Sequence, residues 1–560
     1  MSSRDRDLAI EGLRANLRAA GIPAREEDIE RVVAEGIPDR AVAFRALLAA
    51  TDDDCIPDFL SGWSLAGSRA DGEEKGVAGS AAGPPRTAGP RQAAAPSPSV
   101  ARARPEPAPW PSTIAELAPL VRAGAVSPVE LTEQALTRIE EDDGRANAFQ
   151  LVLADEALAA ARRAEDEVGR GAWRGPLHGI PVAVKDLLAM KDTVTTSGSK
   201  VLADHVTDHD AAVVERLRAA GAVIVGKTRL SEFAYWPGST NPHYGPTPNP
   251  RDPTRDAGGS SSGSAAAVAG GMVYAALGTD TGGSIRIPAA LCGVVGLKPT
   301  FGRASLHGCM ALAWSLDHVG PLARSVEDAA LVLAAIAGPD RRDPRTRSAP
   351  LLTMAGSPGD PTEGARRPHP DLSRVRVGVP ADLHLAAPLQ DAAARSWARA
   401  NRALEQAGAT LVEVDLDEIH MLRQVAVLTL GVEAAAHHAP LLRAHYDHYG
   451  EFCRGRVVAA FTFSAQDFLG AQRLRHWIRM RWDAACRYVD LLSLPCQPGV
   501  APLLDMPAST DLTNLFNALG WPAISVPRGE GERGLPLAVQ LAAKPWDEAT
   551  LLRAARAVEA

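Results

Sequence analysis

The chain has 560 residues, 46% of them hydrophobic and 22% charged, with a net charge of −8 and a pI near 6.0. That is long enough for a large buried core and for more than one domain. The acidic balance supplies no general basic field, which speaks against nucleic acid or an anionic membrane as partner.

The N-terminus, MSSRDRDLAIEG, is too polar for a secretory signal. The most apolar run, 265–278, is too short and glycine-rich to cross a bilayer, which takes ~20 residues. Six cysteines (Cys55, Cys292, Cys309, Cys453, Cys486 and Cys496) are scattered without a CxxC pair, so they read as reduced thiols, not as a disulfide frame or zinc site. The expected location is the cytoplasm.

The first element is a small helical module over 5–62. Ile10, Leu13 and Leu17 form one apolar stripe, stopped by Gly21 and Pro23; Ile29, Val32 and Val33 form a second; Pro38-Asp39 opens a third carrying Val42, Leu47 and Leu48. Its core is meagre and it holds no titratable cluster, so docking or homodimerisation is the expected role. Residues 63–109 are nearly all Ala, Gly, Pro and Ser with scattered charge, a composition that buries nothing and predicts a disordered linker. Cutting there is expected to leave a working domain over 110–560.

Beyond the linker, helical and strand patterns alternate. Ser127-Pro128-Val129-Glu130 is a capping box opening a helix to about Glu140. PVAVKDLL, AVIVGKT, RVRVGVP, TLVEVDL, VDLLSLP and PAISVP read as strands, with helices between. This predicts an α/β fold with a large mixed, twisted sheet covered by helices.

Several motifs compete for the chemistry. GGSSSGSA (258–265) nearly has the spacing of a phosphate-binding loop, but Ser264 stands where the lysine must be. SGSK (197–200) fits a serine–x–x–lysine pattern common by chance and lacks its usual partners. His438, His445 and His448, with Glu433 a turn earlier, fall on a helix without HExxH geometry, so no metal is expected.

The stronger constellation joins Lys185, the GGSSSGSAAAVAGG block and Ser284 in GTDTGGSIRIP. A serine needs a base to become a nucleophile. Lys185 sits among Val182, Val184 and Leu187, and burial favours the neutral amine. The glycines before Ser284 permit backbone N–H groups to converge as an oxyanion hole. Spacing alone leaves a solvent-facing lysine and a simple tight turn equally open.

The blocks HGIPVAVKDLL, GGSSSGSAAAVAGG, ALGTDTGGSIRIPAALCGVVGLKPT and FNALGWPAISVP, in this order, resemble the amidase signature family over about 110–559. The resemblance implies a cofactor-free amidohydrolase acting on a small-molecule amide, urea, hydrazide or ester through an acyl-enzyme. Lys185 matches the catalytic lysine, Ser260 the bridging serine held on a cis peptide, and Ser284 the nucleophile 24 positions later. The N–H groups of Thr281, Gly282, Gly283 and Ser284 match the oxyanion hole, with Asp280 and Arg286 as polar support. Ser262 replaces a usual glycine, and Cys496 a usual threonine or serine at the site's edge. Small helical companion subunits accompany some relatives, including tRNA amidotransferases and carboxybiuret hydrolases, and the N-terminal module is comparable in size and helicity. The alternatives implied are the glutaminase subunit of a tRNA-dependent amidotransferase, or an idle scaffold that keeps the fold. Trp236 and the 421–463 region are the expected determinants of specificity.

Overall fold

The computed structural model describes residues 3–55, 112–350, 370–381, 383 and 388–560. The expected linker lies outside them.

Three helices come first: α1 (Ser3–Ala19), α2 (Glu26–Ala34) and α3 (Ile37–Cys55). The centre of the molecule is one eleven-stranded sheet. Its strands in chain order are β1 (Phe149–Val152), β2 (Pro181–Lys185), β3 (Val223–Thr228), β4 (Ala275–Asp280), β5 (Val295–Lys298), β6 (His318–Ala323), β7 (Arg376–Pro380), β8 (Thr410–Val414), β9 (Leu491–Pro495), β10 (Ala523–Glu530) and β11 (Pro536–Ala543). They lie side by side in the order β1-β3-β2-β4-β6-β5-β10-β11-β9-β7-β8. β2 runs parallel to β3 and β4, and β9 parallel to β7, while β6, β10 and β11 pair antiparallel with their neighbours. The mixed, helix-covered sheet agrees with the sequence pattern.

The central strands are buried at every residue, as expected of apolar runs without alternation. The capping serine works as read: Ser127 Oγ accepts from the N–H of Val129 and Glu130, and its helix runs further than expected, Pro128–Ala146. It stops where Asn147 turns left-handed at φ 45°.

Two short helices flank the glycine-rich blocks: α4 (Ser262–Ala269) after the first and α5 (Arg286–Cys292) after the second. A further group lies beside the sheet: α6 (Ile419–His445), α7 (Glu451–Ala460), α8 (Ala465–Ala485) and α9 (Asn514–Leu519). With the short turn that follows it, α6 is long and apolar enough by length and composition to cross a membrane. Here Leu422, Val425 and Leu428 pack against Leu474, Ile478 and Phe516, so it serves as a core helix.

The N-terminal helices dock on this group. Leu13, Leu17, Ile29 and Val32 share a core with Leu442, Tyr446, Tyr449 and Val457, and Phe44 packs into the core under α6 and α8. Asp28 is fully buried, accepting from Tyr446 Oη at 2.6 Å and from Arg454 Nε at 3.1 Å. Arg45 makes a two-pronged contact with Asp467 at 2.9 and 2.8 Å. The module's apolar stripes are thus covered by its own chain.

Candidate active site

Lys185 ends β2 between β3 and β4 with no exposed surface. Its Nζ lies 2.7 Å from Ser260 Oγ, 3.0 Å from Ser261 Oγ and 2.8 Å from Thr279 Oγ1. Burial pulls its pKa down to about 7, opposed by the more distant Cys309, Asp280 and Asp317. Next to it, Asp186 and Lys227 form a buried ion pair at 2.7 Å, which ties the end of β2 to β3.

The Gly259–Ser260 peptide is cis. A Cβ at Gly259 would fall 2.0 Å from the Gly238 carbonyl oxygen, so the residue before Ser260 must be glycine. Ser261 N–H donates to the Ser284 carbonyl at 3.3 Å, which stitches the two serine-bearing loops together. Ser284, 9% exposed, has no hydrogen-bond partner for its hydroxyl among the described residues, and Ser260 is fully buried.

The loop before Ser284 is built around Asp280. Its carboxylate accepts from Arg286 Nε at 3.0 Å and Nη2 at 2.9 Å, and from Asn517 Nδ2 at 2.9 Å. Burial alone would raise the Asp280 pKa, but Arg286 outweighs it and holds the carboxyl well below its usual range. Arg286 also donates to Gln540 and Asn517. Asp280 and Arg286 are therefore the structural support expected of them.

One sequence expectation needs correction. Gly283 N–H donates to Asp280 Oδ1 at 2.8 Å, so it is spent on the loop and does not face a reacting carbonyl. The N–H groups of Thr281, Gly282 and Ser284 have no partner among the described residues, leaving three of the four expected donors. Gly283 has φ 133°, and a Cβ there would fall 2.2 Å from Thr513 Oγ1, which itself donates to the Gly282 carbonyl at 2.7 Å. Gly283→Ala is therefore expected to misplace Thr281 and Gly282 and cut amide turnover about a hundredfold or more, the scale of one lost oxyanion donor. Steady-state rates on a folded variant check this.

The remaining candidates do not gather. Ser264 Oγ donates to the Leu277 carbonyl at 2.9 Å and meets Thr228 Oγ1 at 2.7 Å, a packing role inside α4. Lys200 is exposed whereas Ser197 is buried. His438 is buried against Tyr449 Oη at 3.0 Å and Glu433 accepts from Ser315, and no metal-holding cluster occurs among the described residues. Cys496 is buried behind α5, with Sγ 3.5 Å from the Arg286 carbonyl. Trp236 packs against Phe452 with the rings tilted by 57° and their centres 3.9 Å apart.

A cavity of about 400 Å³ lies against α6 and is lined by residues including Phe44, Val427, Leu428, Phe463 and Asn514. One of its lining residues, Asn514, packs against the oxyanion loop: a Cβ on Gly282 would stand 3.9 Å from Asn514 Cβ. Residues of the 421–463 region line it, and Trp236 is not among its lining residues.

A buried lysine among serine hydroxyls, at the centre of an eleven-stranded mixed sheet with glycine-rich loops, defines an amidase signature architecture. The chain belongs to the amidase family, whose model matches residues 130–552. It is 42% identical over 472 residues to a glutamyl-tRNA(Gln) amidotransferase subunit of Anaeromyxobacter dehalogenans, covering 78% of this chain and 94% of that one. A chain of a vestigial protein complex described as revealing the evolutionary origins of an s-triazine catabolic enzyme shares 35% identity at a TM-score of 0.74, covering 80% of this chain and 98% of that one. The peptide amidase of Stenotrophomonas maltophilia shares 32% identity at a TM-score of 0.68, covering 80% of this chain and 96% of that one.

Proposed function

We propose that the chain hydrolyses a small-molecule carboxamide through an acyl-enzyme on Ser284, with Ser260 and Lys185 as its proton relay. The observation that carries this reading is the hydrogen-bonding of Lys185. A neutral amine has two N–H donors and one lone pair. Ser261 donates its own proton to the Thr279 carbonyl at 3.2 Å, so towards Lys185 it accepts. With Thr279 Oγ1 taking the second N–H, the lone pair is left for the Ser260 hydroxyl at 2.7 Å. Sequence reasoning missed Ser261 and Thr279 as positioning residues.

The steps then balance. As Ser284 Oγ bonds to the carbonyl carbon, its proton passes to Ser260 and that of Ser260 to Lys185. The oxyanion is met by the N–H groups of Thr281, Gly282 and Ser284. The proton returns along the relay to the nitrogen, the C–N bond breaks and the amine leaves. Water repeats the sequence and frees the acid.

Only the unprotonated amine can accept. With the Lys185 pKa lowered to about 7, kcat/KM is expected to rise about tenfold per pH unit below that value and level off above it. A profile flat from about pH 5 to 8 would place the acceptor elsewhere.

A second reading, the glutaminase subunit of a tRNA-dependent amidotransferase, is favoured by the name of the relative matched over 94% of its length. Both readings share the hydrolysis and differ in where the ammonia goes. Ammonia release by the isolated chain from small amides, compared with release from glutamine with and without co-purifying subunits, separates them. An idle scaffold would leave Ser284 unlabelled by a fluorophosphonate.

A further inference from the structure

Most of the lining of the cavity beside Asn514 comes from two helices that the sequence separates by more than 300 residues. From α3 come Ile37, Arg40 and Phe44; from α6 come His420, Arg423 and Val427. Its polar groups are unevenly placed. Asp511 is the one carboxylate in the lining, and it is already engaged by Arg423. Arg40 is exposed and has no carboxylate partner among the described residues. At the end next to Gly282, Asn514 is 5% exposed and its Oδ1 is buried without a hydrogen-bond partner among the described residues.

We propose that this cavity is the substrate pocket and that the N-terminal module makes it specific for amides carrying a carboxylate. The carboxylate lies against Arg40, and the apolar middle of the substrate passes between Phe44 and Val427. A planar guanidinium suits a carboxylate in two-pronged contact. Arg40 is thus a specificity-determining residue supplied by a segment outside the 130–552 span of the family model. This inference rests on Ser284 being the nucleophile.

The test measures how two small molecules slow fluorophosphonate labelling of Ser284 in the full chain. Glutaramate and its neutral isostere glutaramide share one terminal amide and differ only in the charge of the other end. Glutaramate is expected to protect at a concentration about tenfold or more below that of glutaramide, the scale of one charge-assisted contact. Arg40→Met should bring the two within about threefold, and Arg40→Glu should shift the preference to cationic 5-aminopentanamide. Arg40 is exposed, so these variants keep the core. Equal protection by the two compounds, or a preference that survives Arg40→Met, overturns the carboxylate pocket while Ser284 labelling stands. Failure of Ser284 to label at all overturns the nucleophile reading, and this inference with it.

Discussion

Ser284→Ala is expected to abolish fluorophosphonate labelling and lower amide turnover by at least about four orders of magnitude, ~5.5 kcal/mol of barrier, with the fold intact. The fold should survive because the Ser284 hydroxyl holds nothing else: it has no hydrogen-bond partner among the described residues. Ser260→Ala and Lys185→Ala should each cost several orders of magnitude, and the double variant scarcely more than either, because a proton passed to Ser260 is useful only if Lys185 receives it. Losses that multiply would show two independent contributions and break the relay. Lys185→Ala carries a second readout. It strips Ser261 and Thr279 of a shared donor in a fully buried place, so denaturant midpoints are needed beside the rates. Lys185→Met keeps the volume without the lone pair and should be as inactive as Lys185→Ala.

The parts of this site legible in the sequence are those fixed by local chemistry. Gly283 must be glycine because its φ is 133° and Thr513 fills the space of a side chain. Ser260 follows Gly259 because only glycine can pass the Gly238 carbonyl. The central strands read as strands because burial on both faces demands unbroken apolar runs. What could not be read depended on groups brought from elsewhere. The claim of Asp280 on the Gly283 N–H follows from Arg286 and Asn517 fixing the carboxylate, with Gln540 holding Arg286 in turn, and Asn517 and Gln540 lie more than 230 positions away. Ser261 looked like another serine in a serine-rich run; its role appears only where β4 brings up the Thr279 carbonyl. Ser127 Oγ accepts the Glu130 N–H as the capping pattern predicts, and it also donates to Glu165 of the helix Ala154–Gly169, a partner the local pattern does not show.

The N-terminal module docks, one of the two roles expected of it, and it does so on its own chain. As a tether or dimer handle, it should be removable at the linker with turnover kept within about tenfold. The docking geometry predicts otherwise. Removing 1–55 exposes Tyr446, Tyr449 and Val457, which now share a core with Leu13 and Val32. It leaves Arg454, of which only 8% is exposed, without Asp28. It also removes Phe44 and Arg40 from the cavity beside Asn514. A chain beginning at Ser112 is therefore expected to self-associate and to lose about a hundredfold or more in kcat/KM on its amide substrate, ~2.7 kcal/mol of transition-state binding. Because the contact is made by a separate surface and not by a shared strand, residues 1–55 added as an independent polypeptide should restore most of the rate. Asp28→Ala in the added piece should weaken that rescue, since it removes the acceptor shared by Tyr446 and Arg454. A soluble, monomeric 112–560 chain that turns over within tenfold of the full protein would return the module to the role of a tether. Rescue in trans would instead make it a pocket-building companion carried on the same chain.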